Sequence, residues 1–479
     1  MSNSTIKNKI DYINACKQYN GMRKIIDNDP FRLHYHLMPP TGWLNDPNGL
    51  IQHNDTYHIY YQYTPFYAGW GTKIWGHYTT KDWLSFNEEE PFLYPDTDSD
   101  RDGAYSGCAI VKDNQFHYFY TGNVKLQDQD YDYIMNGREQ NTIHIISDDG
   151  FHYSKKTIAL TNNDYPNNMS CHVRDPKVYK KDNCYYMVLG ARDELDIGCA
   201  LIYQSKNLLS WQFVKRLDAK QDAGFMWECP DIFTVNHQDI LLTCIQGLKH
   251  QKHLYQNIFS NGYFTIGAND ELGKFNEIDF GFDFYACQTF EDKHGRRILI
   301  GWMGLPDEAG YNNKPTSKNG WIHALTMPRE LHYKNNHLYQ TPLEEMKKLR
   351  KKQITLSFSK KQEWISENSV FELSLSSSSF DTLELYLRDD VKLIYKNNLL
   401  SLKLGASGCG RKERYLELNK LTDITVFSDT SSLEIFINNG QYTMTTRVYN
   451  RQLKQKIICY CDSYCKMVAY PLSKYTLSK

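Results

Sequence analysis

Three acidic residues beside prolines recur along the chain: Asp46 in WLNDPNGLI, Asp175 in RDP and Glu228 in WECPD. Leu44 and Trp227 place apolar bulk next to two of them, so each charge is unfavourable unless it is paired, hydrogen-bonded or protonated. If the three lie together, their repulsion makes one of them hold its proton near neutral pH. Two carboxyl groups with separated pKa values can serve as acid and nucleophile on one acetal bond, so the pattern predicts glycoside hydrolysis.

The same residues also have a purely structural interpretation. A single Asp-Pro is typical of a turn or a strand entry, and Arg174 beside Asp175 fits a structural ion pair. Glu228, between Trp227 and Cys229, is harder to explain this way, because acids in apolar surroundings seldom lack a partner or a function. Cys229 either adjusts the pKa of Glu228 or simply packs, and both alternatives stay open.

Five segments share one plan, in which a short apolar strand, a polar turn and a second apolar strand follow in order. They begin at residues 46, 105, 174, 228 and 285, at intervals of 54 to 69 residues, and each is typical of a β-hairpin. Near-constant spacing with almost no helix between the hairpins predicts a five-bladed β-propeller over residues 30–345. With the opening strands innermost, and a proline fixing three of the strand starts, the three acids converge at one end of the central channel.

The two ends of the chain have different patterns. Residues 1–29 are predicted to form a helical segment, because Ile6, Ile10 and Ile13 recur at the spacing of one helix face. Residues 353–479 contain seven or more short alternating strands, which predicts a β-sandwich domain. The complete fold class is therefore all-β, a propeller followed by a sandwich that either covers propeller surface or supports a homo-oligomer.

Composition excludes several classes of partner. Lys and Arg total 55 against 56 Asp and Glu, and there is no long basic run, so neither nucleic acid nor an anionic membrane is expected to bind. The chain has no secretion signal and no apolar run of membrane-spanning length, which predicts a cytoplasmic protein with reduced thiols. The cysteines and histidines lack the spacing of metal ligands, so neither a metal nor an organic cofactor is implied.

Seven motifs in this order resemble glycoside hydrolase family 32, the invertases, fructanases and sucrose-6-phosphate hydrolases. The resemblance covers nearly the whole chain. It is carried by HLMPPTGWLNDPNGL at 36–50, WGHY at 75–78, YSGCA at 105–109, RDP at 174–176, WECPD at 227–231, GFDFYACQTF at 281–290 and ALTMPREL at 324–331.

The resemblance implies a role for each acid. Asp46 matches the nucleophile, Glu228 the general acid and base, and Asp175 the acid that binds fructose hydroxyls, in a reaction that retains configuration. We expect Asp46 to be ionised and Glu228 to be kept protonated by apolar walls and the neighbouring charge. The expected substrate-binding residues are Trp43, Leu44, Asn45, Gln62, Trp70, Tyr105, Ser106, Arg174 and Trp302.

The leading hypothesis is therefore a retaining hydrolase that cleaves the β-fructofuranosyl bond of sucrose 6-phosphate or sucrose and releases fructose. A phosphorylated substrate needs a cationic partner beyond the fructose subsite, for which Lys73, Arg101 and Arg138 are candidates unless they are solvated surface residues. A fructooligosaccharide-hydrolysing β-fructosidase and a fructosyltransferase are the enzymatic alternatives. A non-catalytic fructan-binding module is the alternative from another class.

Overall fold

The computed structural model describes residues 6–305, 314–450 and 454–479. Helices are few and short: α1 (Lys9–Gln18), α2 (Met22–Asp27) and α3 (Lys314–Ser317). The side chain of Asn8 caps α1 by accepting a hydrogen bond from the Asp11 N–H. In the described ranges no helix has both the length and the apolar character needed to cross a bilayer.

The face of α1 that packs on the protein carries tyrosines. Ile10 and Ile13 are 70% and 40% exposed, whereas the rings of Tyr12 and Tyr19 pack against Phe66 with centroids 5.9 and 5.1 Å away. The isoleucine spacing therefore does not mark the contact face of α1. Contact with the Phe66 ring selects the tyrosine side of the helix instead.

Residues 42–342 form five sheets in chain order. Sheet 1 contains β1 (Gly42–His53), β2 (Thr56–Thr64), β3 (Ile74–Thr80) and β4 (Ser85–Glu88). Sheet 2 contains β5 (Ala104–Lys112), β6 (Gln115–Lys125), β7 (Arg138–Ser147) and β8 (Thr157–Leu160). Sheet 3 contains β9 (Met169–Lys181), β10 (Cys184–Asp193), β11 (Gly198–Ser205) and β12 (Gln212–Leu217). Sheet 4 contains β13 (Met226–Val235), β14 (Gln238–Gln246), β15 (Phe259–Ile266) and β16 (Asn276–Glu277). Sheet 5 contains β17 (Tyr285–Glu291), β18 (Arg297–Trp302), β20 (Arg329–Lys334) and β21 (His337–Pro342), while β19 (Trp321–Ile322) joins sheet 1 beside β1.

The five predicted hairpins are confirmed, because the first two strands of every sheet pair antiparallel. In three of them the turn residues take positive φ, as two-residue hairpin turns require: Asp113-Asn114, Asp182-Asn183 and Asn236-His237. Asn, Asp and His tolerate this left-handed conformation better than most side chains do. The hairpins were predictable because their turns are short and local.

The sheets pack radially as a β-propeller. The first strands β1, β5, β9, β13 and β17 contact one another in a closed cycle. Apolar clusters fill the spaces between successive sheets, for example Trp75 with Tyr118 between sheets 1 and 2, and Leu44 with Ile300 between sheets 1 and 5. Sheets 2 to 5 are four-stranded, whereas sheet 1 has six strands because β19 and β32 (Thr476–Ser478) pair parallel with its two edges.

The C-terminal strands form one continuous sheet that folds on itself like a sandwich. They are β22 (Ile354–Ser366), β23 (Phe371–Phe380), β24 (Thr382–Leu387), β25 (Val391–Lys396), β26 (Leu399–Leu404), β27 (Glu413–Glu417), β28 (Leu421–Asp429), β29 (Ser432–Ile437), β30 (Tyr442–Arg447) and β31 (Gln455–Pro471). The long strand β31 pairs with β24 through its first half and with β23 through its second half. Side chains from both halves, such as Leu385 and Val426, meet in one apolar core.

A buried ionic network joins the propeller to the sandwich. Arg329 of β20 donates from Nε to Glu434 of β29 over 3.0 Å, and its Nη1 lies 3.3 Å from a carboxylate oxygen of Asp279. His36 lies between the carboxylates of Glu434 and Asp429, at 2.7 and 2.8 Å. Burial opposes charge on His36, but these two carboxylates leave its pKa raised. The network therefore compensates buried charges of both signs across the interface.

We predict that Glu434→Gln destabilises the protein strongly. The change leaves Arg329 and His36 buried without their shared carboxylate, and breaking a buried ion pair from one side costs about 3 to 5 kcal/mol. The midpoint of urea unfolding measures the loss. Glu413→Gln is the matched control, because its partner Lys403 is 46% exposed and a surface pair contributes about 1 kcal/mol or less. Equal midpoints for the two variants would contradict the prediction.

Candidate active site

The first strand of every sheet carries a register shift against its partner at the same end of the propeller. In each case two residues of the first strand oppose one residue of the second, which is a β-bulge. The bulged pairs are Asn45-Asp46, Tyr105-Ser106, Asp175-Pro176, Cys229-Pro230 and Ala286-Cys287. Bulges redirect side chains, so this repeated feature aims five strands at one place.

The prolines lie inside the strands, not at their starts as predicted. Pro47 follows the bulge in β1 and pairs with Tyr61, and Pro176 and Pro230 lie within the bulges of their strands. A bulge locally interrupts the ladder, so at Pro176 and Pro230 the missing N–H removes no pairing. Asp175 and Cys229 take positive φ of 61° and 47°, a conformation that a regular strand does not contain.

The bulges surround a cavity of about 730 Å³ that brings the three acids together. Its lining includes all the predicted catalytic and sugar-binding residues except one. Those that line it are Trp43, Asn45, Asp46, Gln62, Trp70, Tyr105, Ser106, Arg174, Asp175, Glu228 and Trp302.

Leu44 is the exception. Its side chain is fully buried in the apolar cluster between sheets 1 and 5, and it does not line the cavity. Alternation along β1 explains this, because Trp43 and Asn45 face the cavity and the residue between them faces the other way. Leu44 is therefore a packing residue.

A chain of hydrogen bonds fixes Asp46. Trp43 donates to Asn45 over 2.9 Å, Asn45 donates to Gln62 over 2.7 Å, and Gln62 donates to the Ser106 hydroxyl over 2.7 Å. Because Ser106 accepts from Gln62, its own proton is directed to Asp46 Oδ2, 2.5 Å away. Asn45 also donates to Asp46 Oδ1 over 3.0 Å. These hydrogen bonds orient the Asp46 carboxylate, and none of their donors is a cation.

The pKa values of Asp46 and Asp175 are both raised. Burial is the main cause at Asp46, opposed by the donors Ser106 and Asn45 and supported by the charge of Glu228. Burial also raises the pKa of Asp175, to about 7, with Arg174 opposing and the other two acids adding to the rise. The free site therefore holds a proton near neutral pH, as close carboxylates must.

Glu228 has the opposite environment. Arg174 Nη2 donates to its Oε1 over 2.6 Å, while Gln246 and the Tyr285 hydroxyl each donate to Oε2 over 2.7 Å. Burial raises the pKa of Glu228, but the charge and hydrogen bond of Arg174, together with the other donors, outweigh burial and leave the pKa lowered. The prediction that apolar walls keep Glu228 protonated was therefore wrong for the free protein.

The reason lies in the alternation of β13. Trp227 faces away from the cavity and packs between sheets 3 and 4, so the apolar neighbours in sequence are not the neighbours of the Glu228 carboxylate. Asp46, predicted to be ionised, instead has a raised pKa, as Asp175 does. This difference could not be predicted from the motif, because the donors Gln246 and Tyr285 come from other strands.

Arg174 is oriented by a histidine. Its Nη1 donates to His172 Nδ1 over 2.9 Å, and His172 Nε2 lies 2.9 Å from the carbonyl oxygen of Tyr133. These contacts require a neutral ring that carries its proton on Nε2. Burial and the neighbouring arginines lower the pKa of His172 to about 3, in agreement with that state. Its role as a support for Arg174 was not predicted from the sequence.

Cys229 lies between the two raised acids. Its Sγ is 3.6 Å from Asp46 Oδ2 and 3.7 Å from Asp175 Oδ2, and its backbone N–H donates to Asp175 Oδ2 over 2.9 Å. The thiol has its own pKa raised well above the usual value by a hydrogen bond with Cys244 and by burial. It is a neutral neighbour of the acids, not a nucleophile.

The chain matches the models of two protein-family domains. Residues 36–342 match the model of the glycosyl hydrolases family 32 N-terminal domain, and residues 338–462 match that of the family 32 C terminal.

The chain belongs to glycosyl hydrolase family 32.

Relatives of this family 32 chain include the sucrose-6-phosphate hydrolase of Bacillus subtilis (strain 168), which is 37% identical over 459 residues and is aligned over 91% of this chain and 92% of that protein. The solved structure of sucrose-6-phosphate hydrolase from Lactobacillus gasseri is 30% identical, with a TM-score of 0.85 over 96% of this chain and 97% of that one. A mutant of the Bombyx mori GH32 beta-fructofuranosidase, solved in complex with sucrose, is 25% identical, with a TM-score of 0.85 over 99% and 100%.

We predict that Asp175→Asn stabilises the family 32 chain above neutral pH. Folded Asp175 keeps its proton up to about pH 7, against an ordinary pKa of 3.8, so the native state binds more protons than the unfolded state in that window. The free energy of unfolding then falls as pH rises through the window, by about 1.4 kcal/mol per unit of pKa shift, a contribution that Asn removes.

Calorimetric melting of wild type and variant at about pH 5 and about pH 8 measures this difference. We expect the variant to melt higher than wild type at the upper pH, with a smaller gap at the lower one. Asp182→Asn in the exposed β9–β10 turn is the control. A gap that does not grow with pH contradicts the prediction.

Proposed function

We propose that this chain is a retaining glycoside hydrolase that cleaves the β-fructofuranosyl bond of sucrose 6-phosphate or sucrose and releases fructose. The single observation that carries the proposal is the convergence of Asp46, Asp175 and Glu228 on one cavity in a family 32 chain. Sucrose 6-phosphate is the preferred substrate in this proposal, because the Bacillus subtilis and Lactobacillus gasseri relatives are named as its hydrolases. The sucrose complex of the Bombyx mori enzyme supports a disaccharide of this kind.

In the proposed reaction, an Asp46 oxygen forms a bond to the anomeric carbon of fructose as the bond to the leaving oxygen breaks. Glu228 gives its proton to that oxygen, and glucose or its 6-phosphate departs. A water then loses a proton to Glu228 and attacks the fructosyl carbon, which frees Asp46 and releases fructose with its configuration retained. Asp175 binds the sugar hydroxyls and stabilises the positive charge of the flattened ring.

This mechanism requires the proton of the free site to change place. Asp46 and Asp175 have raised pKa values, whereas Arg174 keeps Glu228 ionised. The three carboxyl groups titrate as a coupled set, so a bound sugar can redistribute one proton among them. Fructose hydroxyls that donate to Asp175 stabilise its ionised form, so the bound sugar favours release of the proton from Asp175. With the leaving oxygen beside Glu228, that proton is then held by Glu228.

The finer architecture and location belong to the same proposal. We propose that sheet 1 is the fifth blade, with β19 and β32 as additions at its edges. The domain boundaries at 30–345 and 353–479 and the homo-oligomer stay predictions, and so does the cytoplasmic location.

Replacing either reacting acid should remove turnover and preserve the fold. We expect Asp46→Asn to reduce kcat on sucrose and sucrose 6-phosphate by more than the factor of about 10² to 10⁴ expected for Glu228→Gln, because loss of the nucleophile removes the covalent route. Release of fructose, followed by NMR of the first anomer formed, measures both rate and stereochemistry. Circular dichroism and the melting temperature verify the fold.

Two exposed acids supply matched controls: Asp182→Asn and Glu367→Gln repeat the same chemical changes far from the cavity. Both controls should keep wild-type rates. Wild-type protein that binds sucrose and never cleaves it would instead identify a binding module. Oligosaccharides that accumulate at high sucrose would identify a transferase.

A further inference from the structure

Two cations lie at one side of the cavity and take no part in the reaction described above. Lys125 ends β6 and Arg138 begins β7, and both line the same cavity as the three acids. They are direct cross-strand partners in the antiparallel pair. Lys125 is exposed and Arg138 half-buried, so they form the outer part of the cavity wall.

This placement is unfavourable for stability alone. Like charges directly opposite each other on neighbouring strands repel, and a third cation, Arg174, acts on Arg138 from the inner side. Burial and the charge of Arg138 lower the pKa of Lys125. Burial also lowers the pKa of Arg138, because it outweighs the effects that raise it. Opposite charges on such a pair would stabilise the hairpin, so the like charges indicate a ligand.

No carboxylate of the described residues forms an ion pair with either cation. Asp102, whose charge acts on Lys125, accepts from the Lys125 backbone N–H over 2.8 Å and lies 3.8 Å from Arg101 Nε. In the adjoining loop, Asp132 accepts hydrogen bonds from backbone N–H groups. The Lys125 ammonium is 5.9 Å from the ring centroid of Tyr133.

Arg138 has donors left for a ligand. Its Nη1 donates to Asn123 Oδ1 over 3.0 Å, and the Tyr105 side chain also interacts with the guanidinium. Its buried Nε has no hydrogen-bond partner in the described structure. Buried donors of this kind are rarely left unsatisfied without a functional reason. Guanidinium and ammonium groups side by side suit the oxygens of a phosphate monoester.

The position of the pair relative to the reacting atoms selects one part of the substrate. Glu228 contacts Arg174, and the charges of Arg138 and Arg174 both act on His172, so the pair lies on the Glu228 side of the cavity. Glu228 is the group that protonates the leaving sugar in the proposed function. A substituent on the leaving hexose would therefore lie towards Lys125 and Arg138.

We propose that Lys125 and Arg138 form a phosphate subsite that binds the phosphate monoester of the leaving hexose. This inference rests on the proposed function and gives it a specificity: a phosphorylated disaccharide is preferred over the neutral one. The subsite supplies no reacting group. Its contribution is electrostatic attraction and two-sided hydrogen bonding to one dianionic group.

The other sequence-predicted phosphate partners have different positions. Lys73 is completely buried, donates to Thr64 Oγ1 over 3.1 Å and lies 4.5 Å from the Trp70 ring centroid and 4.9 Å from that of Trp43. Arg101 does not line the cavity. Of the three predicted candidates, only Arg138 lines the cavity, and its partner Lys125 was not predicted.

The test compares kcat/KM for sucrose 6-phosphate with kcat/KM for sucrose in each variant, because the ratio cancels general damage to the active site. A hydrogen bond to a charged group contributes enough to lower the ratio by about tenfold to a hundredfold in Arg138→Gln. Lys125→Gln should lower it less, because Lys125 is more exposed. Arg138→Lys keeps the charge but loses the paired N–H donors of the guanidinium, so its ratio should be intermediate. High salt should lower the wild-type ratio towards that of the Gln variants.

Lys396→Gln, an exposed change of the same charge in the sandwich, is the control and should keep the wild-type ratio. Lys125→Gln tests the subsite in a variant that should fold normally, because the Lys125 side chain is at the surface. A wild type that cleaves both sugars, with a ratio that neither Gln variant changes, overturns the subsite and leaves the proposed function standing. A wild type that cleaves neither sugar overturns the proposed function itself.

Discussion

Three carboxyl groups that converge on one cavity are the constraint on which the rest of this structure depends. Their repulsion has to be offset locally, and the protein does so unequally. Glu228 receives a guanidinium and two neutral donors, whereas Asp46 receives only neutral donors from a chain that starts at Trp43. The two acids with the proposed reacting roles are therefore distinguished before any substrate binds, and the distinction comes from donors on different sheets.

Bulges provide the backbone geometry for this arrangement. A regular strand alternates its side chains between two faces, but Asp175 and Cys229 adopt left-handed conformations that turn their strands at the cavity. Since the same shift occurs in all five first strands, the cavity wall repeats the sheet pattern with different side chains at each position. Polar groups from separate sheets can then approach one substrate without any long loop to hold them.

Sequence patterns predicted the features that depend on neighbours along the chain. The five hairpins follow from alternation and turn residues, and the grouping of the acids follows from their shared position in the repeat. What could not be predicted depends on partners far away in sequence: the bulges need the register of the second strand, and the low pKa of Glu228 needs Arg174 and Tyr285. Leu44 was predicted to bind substrate because it belongs to the same motif as Trp43 and Asn45. Strand alternation instead sends its side chain to the opposite face, where it is buried.

The strand at residues 476–478 completes the outer edge of sheet 1 by pairing parallel with β4, where Thr476 lies opposite Ser85. Ribosomes make proteins from the N-terminus, so β4 emerges long before the segment that covers it. A nascent chain that already contains every other propeller strand still presents an open edge to its surroundings, and such edges recruit neighbouring polypeptides. The outer edge of the first sheet is thus the last part of the propeller to be covered during synthesis.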